Sequence, residues 1–157
     1  MKIRLLVIGK TEEEYLRAGI RNYENRIRHY VPFEIIEVPA VKNAAKLTPD
    51  AQNLQEAELI RKRIAPGEIT VLLDERGREM NSTEFAGFLG KQFLSGNKTL
   101  VFIVGGPFGI DRSLKAGASA ILSLSRMTFS HQMVRLFFTE QLYRGLTILR
   151  GESYHHD

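Results

Sequence analysis

The chain has 157 residues, of which 43% are hydrophobic and 25% charged, with no cysteine and a formal net charge of +4. That length suits a single domain over residues 1–157 with one sizeable core. The lack of cysteine excludes disulfides and thiolate metal centres and suits a cytoplasmic setting.

No apolar run approaches the roughly 20 residues that span a bilayer, so no membrane partner is expected. The basic balance permits attraction to nucleic acid without demanding it. It is also uneven: residues 112–157 hold six Lys/Arg against three acids.

Residues 2–8 are β-rich and stop at Gly9, a strand rather than a signal peptide. Thr11 and Glu14 have capping-box spacing, and Tyr15, Ala18, Gly19, Tyr23 and Ile27 trace a helical stripe. Residues 33–38 predict a second strand, closed by Pro39. Thr48-Pro49-Asp50 predicts a helix start, with a cap, a first-turn proline and an acid at the positive end. That helix is expected to run to about residue 65, where Pro66-Gly67 breaks it.

Residues 69–73 read as a short strand leading into Asp74-Glu75-Arg76-Gly77. Asn81-Ser82-Thr83-Glu84 opens a helix ending near Gly96-Asn97. Residues 99–104 are the most strand-like run and end at Gly105. Asp111 caps a short helix, residues 120–124 form a fifth strand, and the last helix begins near His131 and reaches Arg150. This alternation predicts an α/β fold with a mainly parallel sheet flanked by helices.

The last helix is apolar on more than one stripe, through Met133, Val134, Leu136, Phe137, Phe138, Leu142, Tyr143, Leu146, Ile148 and Leu149. Packing on one side of a sheet needs a stripe only about 100° wide. The surplus points either to a homodimer partner or to deeper burial within the monomer.

Gly105-Gly106-Pro107-Phe108-Gly109 directly follows the most apolar strand, which exposes backbone groups to a ligand. A dinucleotide fingerprint belongs after the first strand, where Glu12, Glu13 and Glu14 would repel a pyrophosphate. No Walker lysine follows the later glycines. What remains is a ligand held by backbone groups and apolar walls at the strand ends, with Leu73, Leu124, Met127 and Phe129 able to bracket a flat adenine. For Leu73 or Leu124 taken alone, ordinary strand-end core packing is the better reading.

Four runs together resemble the RlmH family of the SPOUT superfamily: the opening Lys2-Ile3-Arg4-Leu5-Leu6-Val7-Ile8-Gly9-Lys10; Phe102-Ile103-Val104-Gly105-Gly106-Pro107-Phe108-Gly109; Ser123-Leu124-Ser125-Arg126-Met127-Thr128-Phe129; and Glu140-Gln141-Leu142-Tyr143-Arg144 continuing to Tyr154-His155. The resemblance implies transfer of a methyl group from S-adenosylmethionine to N3 of a pseudouridine in large-subunit ribosomal RNA. It also implies a homodimer and a C-terminal trefoil knot. Carried over by position, Leu73, Gly105, Gly106 and the run Leu124, Ser125, Arg126, Met127, Thr128 and Phe129 would bind the donor. One position departs from the pattern: Ser130 stands where the family usually has proline, exchanging a fixed φ for a hydroxyl able to cap a helix.

A sulfonium methyl needs no metal, so the protein has to align it and remove the N3 proton. Tyr154 and His155 are expected at the substrate, Tyr154 by stacking on the base. Arg144 follows, for phosphate or for the charge left on the deprotonated ring, with an ion pair to Glu140 as its plain alternative. His131 suits catalysis and helix-start packing equally. Arg126 and Arg135 are either phosphate contacts or solvated charges. A compact chain with no appended RNA-binding module implies a preshaped target, the assembled large subunit or the whole ribosome. A non-enzymatic RNA- or nucleotide-binding module is the competing reading, and a related SPOUT enzyme acting on transfer RNA, or on uridine rather than pseudouridine, is a third.

Overall fold

The computed structural model describes residues 1–156. Five strands alternate with five helices: β1 (Lys2–Ile8), α1 (Glu14–Ile27), β2 (Phe33–Val38), α2 (Pro49–Arg61), β3 (Ile69–Glu79), α3 (Ser82–Leu94), β4 (Thr99–Val104), α4 (Arg112–Gly117), β5 (Ala120–Ser123) and α5 (Met133–Arg150). The strands form one parallel sheet in the order β2-β1-β4-β3-β5.

Strand periodicity divides the apolar residues between two cores. Ile3, Leu5 and Val7 of β1 and Leu100, Phe102 and Val104 of β4 face α1, α3 and α5, where Phe85, Leu89, Phe138 and Leu142 close over them. Leu6, Ile8, Val101 and Ile103 face the other side, under Ala57 and Ile60 of α2 and Leu114 of α4. A sheet covered on both faces requires continuous apolar strands, and β4 is buried from Leu100 to Val104.

Local signals set most helix starts. Thr48 accepts a hydrogen bond from the Ala51 N–H, with Pro49 in the first turn. Asn81 and Glu84 form a reciprocal capping box, and Asp111 accepts from the Ser113 N–H. Each such cap contributes about 1 kcal/mol.

Three boundaries differ from expectation. Thr11 does not cap α1, which starts at Glu14 after an uncapped Glu13. The Thr11 hydroxyl is taken instead by Arg135, whose Nη1 donates to it at 3.0 Å. Helix α2 stops at Arg61, and looser turns carry the chain to Pro66. Strand β3 does not end at Leu73: its register breaks between Leu73 and Arg78, and both of those residues pair with Leu122 of β5. The bulge pushes residues 74–77 outward at the carboxyl edge of the sheet. Gly77 permits it, since a Cβ there would sit 2.7 Å from the Leu122 backbone.

Candidate functional site

The carboxyl ends of β3, β4 and β5 meet in a cleft of about 970 Å³. Strand β3 contributes Leu73, the loop after β4 contributes Gly105 and Gly106, and the segment after β5 contributes Leu124, Ser125, Met127, Thr128 and Phe129. His131 and Val134 close it at the start of α5. Residues distant in sequence and singled out separately thus line one cavity, where open α/β sheets place their ligands.

The glycine loop is tight for specific reasons. A Cβ on Gly105 would run into the Gly109 carbonyl oxygen and come within 2.7 Å of Ile110 Cγ1. The Gly109 N–H donates to the Gly106 carbonyl at 3.1 Å, and Gly109 has φ +89°. A Cβ on Gly106 would lie 2.5 Å from both Glu56 carboxylate oxygens. Only glycine lets the loop close on itself and rest on α2.

The segment after β5 is pinned from within. The Ser123 hydroxyl donates to the Ser125 carbonyl at 2.8 Å, and the Met127 N–H donates to Ser125 Oγ at 3.0 Å. Thr128 Oγ1 donates to Glu75 at 2.5 Å, and the Phe129 ring packs on Phe137 at 4.9 Å. The Ser130 hydroxyl accepts from the Met133 N–H at 3.0 Å and braces the turn that leads into α5, whose own N-cap residue, Gln132, makes no side-chain cap bond. Arg126 departs from the expected set. Its side chain is 88% exposed, pairs with Glu79 at 3.3 Å and does not line the cleft.

Two polar features of the cavity were not anticipated. Lys115 pairs with Asp74 at 2.6 Å. Burial raises the Asp74 pKa, but Lys115 and the Arg76 N–H outweigh it and hold the carboxyl below its usual range. Asn53 donates to the Phe108 carbonyl at 3.0 Å, while its own Oδ1 is buried without a hydrogen-bond partner among the described residues. An orphaned acceptor beside apolar walls and exposed loop backbone fits a flat ligand that brings its own N–H groups, as S-adenosylmethionine does.

Arg135 is neither a phosphate contact nor a solvated charge. It is 1% exposed, and its guanidinium donates to the Ile8, Gly9 and His131 carbonyls at 2.5, 3.1 and 3.1 Å. Together with the Thr11 bond, these contacts lash the cleft segment to the end of β1. Beside it, burial and then the Arg135 charge push the His131 pKa below its usual value, so its imidazole is neutral near pH 7.

The tail residues sit elsewhere. Tyr154 donates to Glu140 at 3.0 Å and lies 3.3 Å from the Tyr23 hydroxyl. Arg144 grips the same carboxylate at 2.5 and 3.0 Å, donates to His155 Nδ1 at 3.3 Å and stands 4.7 Å over the Tyr154 ring. Tyr30 donates to Glu152 at 2.5 Å. The Glu140 ion pair therefore exists, as a hub rather than an isolated surface pair. Burial, then Tyr23 and Glu140, raise the Tyr154 pKa well above the ordinary phenol, so it stays protonated and is no base. Arg144, Tyr154 and His155 do not line the cleft of their own chain.

Among the described residues, no cluster of three His, Cys, Asp or Glu is placed to hold a metal, and no helix is long and apolar enough to cross a membrane. Sequence reasoning passed over Glu56. Its signal was the inward spacing of Gln52, Glu56, Ala57 and Ile60 along α2.

Known proteins match this arrangement along its whole length. The family described as "Predicted SPOUT methyltransferase" matches residues 1–155. Ribosomal RNA large subunit methyltransferase H of Parabacteroides distasonis is 49% identical over 157 residues, covering all of both chains. The protein of that name from Porphyromonas gingivalis is 48% identical with the same coverage. Among solved structures, a probable methyltransferase from Bordetella pertussis superposes with a TM-score of 0.58 at 11% identity, covering 92% of this chain and 94% of that one. The family match and the full-length relatives agree, and the chain belongs to the SPOUT methyltransferases, within them to the large-subunit ribosomal RNA methyltransferase H (RlmH) family.

Proposed function

We propose that the protein transfers a methyl group from S-adenosylmethionine to N3 of a pseudouridine in large-subunit ribosomal RNA, acting on the assembled subunit or ribosome. The observation that carries this reading is the convergence of Leu73, Gly105 and the segment from Leu124 to Phe129 on one cleft. Its full-length relatives are named as large-subunit ribosomal RNA methyltransferases.

The bound donor supplies a methyl group already activated by its sulfonium. The glycine loop presents backbone groups to the donor's polar edges, and Leu73, Leu124 and Met127 offer apolar walls for the adenine. His131 is the neutral imidazole at the cleft and accepts the N3 proton. Arg144 faces the negative charge left on the ring, and Tyr154 stacks on the base.

The distance between tail and cleft supports a homodimer in which the cleft of one protomer is completed by the tail of the other. The exposed Phe137 and Leu149 on α5 agree with such a face. The test is transfer of radiolabelled methyl to ribosomes lacking the modification, with naked ribosomal RNA and transfer RNA in parallel. Label on a large-subunit pseudouridine is expected. Label on transfer RNA alone would move the acceptor to another RNA class, and donor binding without transfer to any RNA would favour the binding-module reading.

A further inference from the structure

Glu56 is a buried charge that the proposed chemistry does not use. It is 3% exposed on the inward stripe of α2, and its facing groups are neutral donors: Gln52 Nε2 at 2.9 Å and the Gly106 N–H. Burial raises its pKa, and these two hydrogen bonds pull it back only in part. A buried carboxylate without a cation is costly, so its contribution has to lie in what it holds.

What it holds is the glycine loop. Both carboxylate oxygens stand 2.5 Å from where a Gly106 Cβ would be, so the loop backbone rests directly on them. On the preceding turn of α2, Asn53 ties the Phe108 carbonyl at 3.0 Å. Helix α2 thus fastens the loop at two points, through Asn53 at the cleft wall and through Glu56 outside it. Gly106 lines the cleft, so a shift at this support moves the cleft wall.

We infer that Glu56 is a positioning residue for the methyl donor: its carboxylate fixes the Gly106 peptide, and with it the backbone groups that receive the donor. The inference rests on the reading of residues 105–109 as donor-binding. Glu56 touches neither donor nor RNA and acts through Gly106.

The experiment measures S-adenosylmethionine affinity by calorimetry on the full-length protein, with methyl-transfer kinetics alongside. Glu56→Ala is expected to weaken the donor about tenfold or more, the loss of one charge-assisted hydrogen bond, and to raise KM while kcat at saturating donor stays within about twofold. Glu56→Gln is expected to stay within about threefold, because its carbonyl still accepts from Gly106 while the Gln52 amide rotates to meet its NH₂. Gly106→Ala drives a methyl into the carboxylate and is expected to weaken the donor about tenfold; added to Glu56→Ala it should cost nothing further.

Unchanged donor affinity in Glu56→Ala would overturn the inference, as would Glu56→Gln as weak as Glu56→Ala, or full additivity in the double variant. If the wild-type chain failed to bind S-adenosylmethionine, the donor-site reading would fall first and this inference with it.

Discussion

Two inactive chains should restore each other. Helix α5 places its cleft end at Val134 and its tail end at Arg150, an axial separation of about 24 Å at roughly 1.5 Å per residue. From Arg150 a fully extended tail advances Tyr154 by only about 14 Å. Adding the length of its ring, roughly 6 Å, brings it to about 20 Å, and only for a tail fully unwound and turned back along α5. Glu140 and Tyr30 also hold the tail where it is. One variant therefore ends at Gly151 and lacks the tail; the other carries Gly105→Val and lacks a working cleft. Co-expressed with different tags and purified through both, the mixed dimer pairs an intact cleft with an intact tail once. Methyl transfer per mixed dimer is expected at about half the wild-type value, with both parent homodimers inactive. Purified mixed dimers with no activity would show that tail and cleft act within one chain, and failure to recover any mixed dimer would refute the dimer itself.

Three further outcomes follow from particular contacts. Gly105→Val forces a side chain onto Gly109 and Ile110, so donor binding measured by calorimetry should fall at least about 100-fold while the sedimentation profile stays unchanged. Arg135→Met leaves the Ile8, Gly9 and His131 carbonyls without their donor, and after relief of guanidinium desolvation should cost about 2–4 kcal/mol. In a domain of this size that lowers the calorimetric Tm by roughly 4–16 °C, and a loss under about 1 kcal/mol would contradict the account of Arg135 as the lashing of the cleft. His131 has a folded pKa below 6.5: above that value the folded and unfolded chains both carry it neutral. As pH falls through 6.5 the unfolded chain takes up a proton that the folded chain does not, so stability drops until the folded pKa is reached. Melting curves from about pH 8 to about pH 5 should decline less steeply for His131→Gln than for wild type; parallel curves would refute the burial argument.

Much of the architecture could be read from residue patterns because it depends on local chemistry. Thr48-Pro49, Asn81 with Glu84, and Asp111 act within a few residues of themselves, and each sits at a helix start. Thr11 fooled the same rule because a residue more than a hundred positions later claims its hydroxyl. The β3 bulge was hidden for a related reason: residues 74–79 look like a polar loop, and only the approach of β5 over Gly77 extends the strand. The cleft was legible as three separate segments, since each carries glycines or an apolar–polar run at a strand end. Arg126 belongs to that run by position, but its side chain turns away to Glu79.

Two residues that sequence reasoning missed or misread share one property. Arg135 and Glu56 are buried charges, and their types alone predict solvent exposure. Both face backbone: the guanidinium binds the carbonyls at the end of β1 and at His131, and the carboxylate meets the Gly106 N–H. A loop at the edge of a sheet has backbone groups that no strand pairs. An ionised side chain satisfies such groups more strongly than a neutral one and fixes their direction. The desolvation cost that makes these charges look misplaced is thus tied to their use. One secures the segment after β5 and the other the loop after β4, on opposite sides of a cleft whose walls would otherwise be short turns of glycine and serine. Had Arg135 been exposed, as its type suggests, the segment from Leu124 to His131 would lose its tie to the end of β1 and keep only its contacts with Glu75, Ser123, Phe137 and Met133, and His131 would lose the charge that adds to burial in lowering its pKa.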